Sequence, residues 1–208
     1  MESVLIVSSA GKGAAQQAAA SQAAARQVAA RASEPYAELL RAASVKQIVA
    51  LESAAEARRM LLERDFDLVV VSAPLRDESG ESLCRDIVSR GASQAILAVK
   101  SESFDAVSAA CEADGVLTVS KPVSSAVFWS ALSLAKAARN RILRVQEENA
   151  RLRQKIEDIR VVDRAKHVLT ARLSLSEPEA HRFIEKQAMD LRSSRRAIAE
   201  GILRTYED

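Results

Sequence analysis

Between Phe128 and Ile159 apolar residues recur in steps of three and four: Phe128, Ala131, Ala135, Ala138, Ile142, Val145, Leu152, Ile156 and Ile159, with Asn149 falling in the same register. This is the a/d seam of a heptad repeat. Neither glycine nor proline lies between Ala135 and Ile159, so nothing interrupts a helix there. At ~1.5 Å per residue such a helix extends roughly 45 Å, more than a small domain can cover. A stripe that long needs a second helix along it, and the simplest source is a second copy of the chain. The predicted dimer seam is Ile142, Val145, Asn149, Leu152, Ile156 and Ile159, within a dimerisation helix over 126–160. Asn149 takes an a position, where a buried asparagine fixes register and favours a parallel dimer at some cost in stability. Glu148 at g and Arg153 at the following e attract across such a dimer; Lys155 and Arg160 do not. The alternative is a long helix laid along its own domain.

The 208 residues allow one large or two small domains. Aromatic residues make up only 3%, so the core must be aliphatic. The net charge of +2 is too small to argue for nucleic acid by itself, and the question becomes where the charge sits. Cys84 and Cys111 form no metal-ligand or disulfide spacing, and two thiols suit a reducing cytoplasm. His167 and His181 are far in sequence from any cysteine or carboxylate pair with metal spacing. No metal and no cofactor are therefore expected. No apolar run is long enough to span a membrane, and the N-terminus lacks a basic segment leading into an apolar one. A cytoplasmic protein without membrane contact is the expectation. With no nucleophile–base pair and no phosphate loop, the chain is not expected to be an enzyme.

Ahead of the long helix, short apolar runs alternate with helical patterns. Val4–Val7, Val45–Ala50, Asp67–Val71, Ala95–Val99 and Val116–Val119 are predicted strands. Ser53 is a predicted cap for a helix facing inward through Ala57, Met60, Leu61 and Phe66. Ser82–Ser89 and Phe104–Glu112 are predicted helices. The Ala/Gln-rich segment Ala14–Ala32 has helix-favouring composition without a bulky apolar stripe, and Tyr36, Leu39 and Leu40 supply the face it lacks. Five strands alternating with helices specify an α/β fold: a flavodoxin-like, doubly wound, five-stranded parallel sheet of order 2-1-3-4-5, with any site at the strand C-termini. This domain is expected over 1–125.

The strand Asp67-Leu68-Val69-Val70-Val71 with Pro74 and Gly80 behind it, and Lys121-Pro122 after the fifth strand, resemble a response-regulator receiver domain of two-component systems. In that family an acidic pair after strand one binds Mg²⁺, and an aspartate ending strand three accepts the phosphoryl group. Here Ser8 and Ser9 stand at the acidic pair and Ser72 at the acceptor. Lys100, with Ser101 adjacent, stands where strand four ends in a hydroxyl residue, and only Lys121 is retained. Mg²⁺ requires carboxylate oxygens, and a serine without base or metal does not take up the phosphoryl group. The resemblance therefore implies a pseudo-receiver, not phosphorylated, with a degenerate pocket of Ser8, Ser9, Ser72, Lys100 and Lys121. Asp77 and Glu78 are the loop acids within reach of it, and Asp77 is a candidate partner for Lys121. A sensor protein is a candidate partner of the domain.

Beyond the seam, Val161, Val162, Ala165, Val168 and Leu169 continue an apolar face, and Ser174 to Pro178 break the helix. Ser176-Glu177-Pro178-Glu179 is a capping-box start with proline in the first turn. The helix it opens carries Ala180, Phe183, Ile184, Ala188, Met189 and Leu191. Ser193 or Ser194 caps a last helix with Ile198, Ile202 and Leu203 inward. Short helices with one apolar face each make a bundle. Between Arg160 and Arg196 basic residues outnumber acidic ones, with Arg192, Arg195 and Arg196 crowding one junction and Arg164 and Lys166 another. A basic patch on a compact bundle suggests phosphate contacts.

Ala165-Lys166 followed by Leu169, Ser176 with Glu179-Ala180, Gln187-Ala188-Met189 and Ile198-Ala199 together resemble the ANTAR module of transcription antitermination regulators, over about 150–204. His167 departs from the glycine usual after the Ala-Lys pair. The resemblance implies a dimer that stabilises two hairpins in leader RNA, so that a terminator hairpin does not form. The RNA-binding domain is expected over 150–208. Its expected contacts are Arg164, Ala165, Lys166, Gln187, Ala188, Met189, Arg192, Arg195 and Arg196. Loop bases are the natural target, because the A-form major groove is closed to side chains. Two rivals remain open: a DNA-binding transcription factor reading through Arg195, Arg196 and Glu200, and a protein-binding adaptor.

Overall fold

The computed structural model describes residues 2–9, 33–91 and 93–206. The Ala14–Ala32 segment lies outside the described residues. Contacts divide the chain into two units, Met1–Leu143 and Arg144–Asp208.

The first unit is built on five parallel strands: β1 (Ser3–Ser8), β2 (Gln47–Leu51), β3 (Leu68–Ser72), β4 (Gln94–Lys100) and β5 (Leu117–Lys121), in the order β2-β1-β3-β4-β5. The doubly wound fold expected from the alternation of elements is the one observed. Around the sheet lie α1 (helical through 33–42), α2 (Ala54–Glu63), α3 (Glu81–Ser89), α4 (Phe104–Glu112) and the start of α5 (Ser125–Leu173). The strands read as unbroken apolar runs because both faces are covered. Odd residues Leu5, Val7, Val69, Val71 and Leu97 pack with Ala54, Ala57, Leu83, Cys84 and Ile87 from α2 and α3. Even residues Val4, Ile6, Leu68, Val70 and Ile96 pack with Tyr36 and Leu40 of α1 and with Phe128, Ala131, Leu132 and Ala135 of α5. This is the two-residue period of a pleated strand read out on two cores.

Local chemistry sets the element ends. Ser53 caps α2 by accepting from the Glu56 amide at 3.2 Å. Gly80, before α3, has φ +92, and a Cβ there would meet Val71 Cγ1 at 2.8 Å, so both the backbone and the space demand glycine. The peptide bonds Ala73–Pro74 and Lys121–Pro122 are cis. Asp67, predicted inside the third strand, precedes it instead. Its carboxylate accepts from the Glu2 and Ser3 amides and pairs with Arg139 at 2.6 Å. Burial opposes ionisation of Asp67, yet these amides and the guanidinium outweigh it and hold the carboxyl below its usual range.

The early part of the predicted seam needs correction. Phe128, Ala131 and Ala135 are not left for a helix of a second copy; they are buried against the sheet and α1 of their own unit. The first unit accordingly runs well past residue 125, and a dimerisation helix beginning at 126 is too early. The physical reason is that the sheet leaves one face for this helix to cover, and its first turns satisfy that need.

In the second unit, α5 continues to Leu173 and is followed by α6 (Glu177–Asp190) and α7 (Arg195–Tyr206). Ala165 and Leu169 of α5, Ala180 and Ile184 of α6, and Ala199 and Ile202 of α7 form its core. The capping-box start of α6 is present: the Glu179 carboxylate accepts from the Ser176 amide at 2.8 Å and from its hydroxyl at 2.6 Å. Ser194, rather than Ser193, caps α7, accepting from the Ala197 amide at 3.1 Å. Arg192, at φ 47, closes α6 in the left-handed region, and the Ser193 amide reaches back to the Ala188 carbonyl at 2.9 Å. Phe183, Met189 and Leu191, also apolar residues of α6, are exposed. The narrow stripe of Ala180, Ile184 and Ala188 already fills the space the other two helices offer. Among the described residues, no helix is long and apolar enough to cross a membrane.

Phe128→Ala is expected to destabilise the first unit by about 3–5 kcal/mol, the cost of emptying a fully buried aromatic site. Leu152→Ala, at an exposed position, leaves that unit unchanged. Urea unfolding followed by fluorescence of Trp129, the single tryptophan, reads the unit directly. A loss below about 1 kcal/mol for Phe128→Ala would show that α5 does not hold the sheet.

Candidate functional site

At the C-terminal edge of the sheet, the residues that end the strands gather. Ser8 on β1 pairs in register with Ser72 on β3, which pairs with Ala98 on β4. Ser8 is buried, and its hydroxyl has no hydrogen-bond partner. Ser9 donates to the Pro74 carbonyl at 2.8 Å. Lys121 donates to the Ala73 carbonyl at 2.6 Å. Ser101 donates to the Lys121 carbonyl at 2.6 Å and accepts from Ser120 at 2.9 Å. Lys100 is exposed and lies beside Lys121 in the β4–β5 register. Burial, and then repulsion from Lys100, push the Lys121 ammonium below the usual lysine range.

The expected pairing of Lys121 with Asp77 is not found. Asp77 accepts from the Ala54 and Ala55 amides, both at 2.9 Å, and so caps the start of α2. Those amides hold its carboxyl below the usual range despite the opposing effect of burial. Glu78 is held by Arg58 at 2.8 and 3.2 Å and accepts from the Leu83 amide at 3.1 Å. Free helix-start amides and a guanidinium are stronger attractors for these acids than a lysine already bonded to a carbonyl. Among the described residues no cluster of three or more His, Cys, Asp or Glu could hold a metal ion.

In the second unit, the basic residues fall into two groups. Lys166 is mostly buried, with 15% of its side chain exposed, and pairs with Asp163 at 2.8 Å and Glu177 at 3.1 Å. These acids raise its pKa. Arg195 pairs with Glu185 at 3.2 Å. Arg196 joins Asp158 on α5 and Glu200 on α7, each at 2.8 Å. Arg192 is exposed on the left-handed residue that ends α6. Arg164 and Arg172 line an open concavity of 580 Å³ together with His167, Val168, Ala171 and Tyr206.

The structure can be set beside known proteins. Residues 150–203 match the ANTAR domain family. The chain is 27% identical over 139 residues to the transcriptional regulatory protein PdtaR of Mycobacterium tuberculosis, covering 67% of this chain and 68% of that protein. The fold matches a response regulator receiver domain protein from Clostridium thermocellum with TM-score 0.50 and 15% identity, over 70% of this chain and 99% of that one. It matches a two component transcriptional regulator AraC from Clostridium phytofermentans with TM-score 0.50 and 15% identity, over 69% and 98%. The chain carries an ANTAR domain behind a domain with the receiver fold.

Within the ANTAR domain the residues expected at RNA differ in exposure. Ala165 and Ala188 are buried, and their small size lets the helices pack closely. Gln187 is half-buried beside Ala188, and Met189 is exposed. Lys166, Arg195 and Arg196 are bonded to acids from other helices. A count of charges along the chain cannot register this, because Glu177, Glu185 and Asp158 are brought to them only by folding. Arg172 and Tyr206 were not singled out from the sequence. The signal available was the spacing of Arg164, Val168, Ala171 and Arg172 on one side of α5, but Tyr206 comes from the far end of α7 and nothing in its neighbours in sequence announces it.

Lys100→Gln is expected to raise the titration midpoint of Lys121, since it removes a repelling charge while burial remains. The depressed folded value carries a sign for stability: the residue costs stability while charged in both states, and stability rises as pH climbs through the folded value toward the ordinary one. Lysine ¹³Cε NMR measures the midpoint, and an unchanged value in Lys100→Gln would rule out the repulsion.

Proposed function

We propose that the chain binds RNA hairpins as a parallel homodimer and regulates transcription by antitermination, with a receiver-like domain that is not phosphorylated. The observation that carries the reading is the ANTAR domain at 150–203 borne on a helix with an uncovered seam. Val145, Leu152, Ile156 and Ile159 are 53%, 46%, 51% and 60% exposed in the single chain. Apolar area of that kind favours a partner helix at roughly 25 cal/mol per Å². Asn149, exposed among them, supports a register-fixing role in a dimer. Two ANTAR domains tethered by one coiled coil engage two hairpins of one RNA with raised effective concentration.

RNA phosphates meet the exposed Arg164 and Arg192. Arg195 and Arg196 reach phosphates by exchanging their intramolecular carboxylates, and Lys166 fixes the junction of α5 and α6. Gln187 and Met189 lie beside the loop. In the receiver-like domain the missing carboxylates support a role in contact with a partner, such as a sensor protein, rather than in phosphoryl transfer.

Sedimentation of the full chain is expected to give a dimer at micromolar concentration, and Asn149→Leu to raise its thermal stability while broadening the oligomer distribution. A monomer would remove the dimer from the reading. Retention is expected on two-hairpin leader RNA, weakening steeply as salt is raised, and not on duplex DNA of equal length. The reverse preference selects the DNA-binding alternative, and retention on neither selects the adaptor.

Incubation with acetyl phosphate followed by intact-mass measurement is expected to show no added phosphoryl group. A gain that disappears in Ser72→Ala would overturn the pseudo-receiver reading.

A further inference from the structure

The concavity between α5 and the end of α7 combines cationic, aromatic and apolar side chains. Its lining is Arg164, His167, Val168, Ala171, Arg172 and Tyr206, with no carboxylate among the described residues. Here cationic side chains surround apolar ones. Tyr206 packs on the bundle core through part of its surface, which fixes the ring, and contributes the remainder to the concavity. Val168 and Ala171 supply apolar floor beside it. Arg172 is exposed at the end of α5.

His167 adds direction. Its Nδ1 lies 2.8 Å from the Asp163 carbonyl oxygen. A carbonyl only accepts, so Nδ1 carries the hydrogen, and Nε2 of the neutral ring is left as an acceptor. An aromatic surface, an in-plane acceptor and cations at the rim make up the set of contacts that one nucleotide satisfies. The base face stacks, its amino or imino hydrogen reaches the acceptor, and its phosphate meets a guanidinium. A volume of 580 Å³ accommodates a group of that size.

We infer that this concavity seats one unstacked loop base of the bound RNA, stacked on Tyr206, donating to Nε2 of His167, with an adjoining phosphate on Arg172. The inference rests on the RNA-binding reading, which uses only Arg164 of this surface, and assigns the rest of it a loop base. The imidazole of His167, which a glycine at that position could not offer, supplies the acceptor.

The test uses the full-length chain and RNA hairpins selected for binding to it from a pool with randomised loops. Tyr206→Phe is expected to bind these hairpins as the unaltered chain does. Tyr206→Leu and His167→Ala should each weaken binding about tenfold, the scale of one stacked base. Arg172→Gln should lower the slope of log affinity against log salt by about one unit. One abasic position in the loop should weaken the unaltered chain by a similar factor and leave Tyr206→Leu no weaker than it already is. Tyr206 packs the core, so Tyr206→Leu is read beside its melting curve. His167→Ala and Arg172→Gln alter exposed side chains and carry the test if Tyr206→Leu unfolds. Hairpins that bind the unaltered chain, with wild-type affinity and salt slope in His167→Ala and Arg172→Gln, overturn this inference and leave RNA binding standing. A selection that recovers no hairpin overturns both.

Discussion

Phe128, Ala131, Leu132 and Ala135 are buried on the sheet, and Val145, Leu152, Ile156 and Ile159, further along the same unbroken helix, are exposed. The rest of the structure depends on this division of one apolar stripe. The sheet has two faces that must exclude water, and the opening turns of α5 complete one of them. Past Leu143 there is no sheet left to cover, yet the sequence keeps supplying apolar residues at the same interval. The hydrophobic effect does not distinguish a partner in the same chain from one in another. What changes along α5 is only what lies opposite it.

The receiver-like domain gathers serine and lysine side chains at the C-terminal edge of its sheet. Ser8, Ser9 and Ser72 carry no charge that would gather a cation, and the groups around them bond to the backbone. Lys121 is held by the Ala73 carbonyl, Ser9 by the Pro74 carbonyl, and Asp77 by the first amides of α2. Each bond is ordinary in strength, but together they leave the retained lysine committed to the backbone. The buried hydroxyl of Ser8 has no partner, which costs the fold the desolvation of that group.

In the ANTAR domain a moderate excess of basic residues resolves into side chains that brace the bundle and side chains that face outward. Arg196 spans α5 and α7 through Asp158 and Glu200, and Lys166 spans α5 and α6 through Asp163 and Glu177. Such part-exposed pairs are weakened by solvent screening, yet they tie the short helices to one another. The outward group is then presented on a defined frame.

The sheet and its order were legible in the order of residues, because parallel strands covered on both faces leave unbroken apolar runs that periodicity detects: Val4–Val7 and Leu68–Val71 lie inside the strands read from them. The start of α6 was legible too, since Ser176, Pro178 and Glu179 act through bonds only three residues long. Short-range chemistry and period are written along the chain. Folding alone assigned Phe128 to the sheet, since an a/d seam looks the same whether a sheet or a helix lies against it. Folding alone gave Asp77 to α2, Asp158 to Arg196 and Tyr206 to the groove of Arg172, because each of these pairings joins residues distant in sequence. A carboxylate or a ring acquires its role from the groups that folding brings within a few ångströms, and that distance is not recorded in the order of residues.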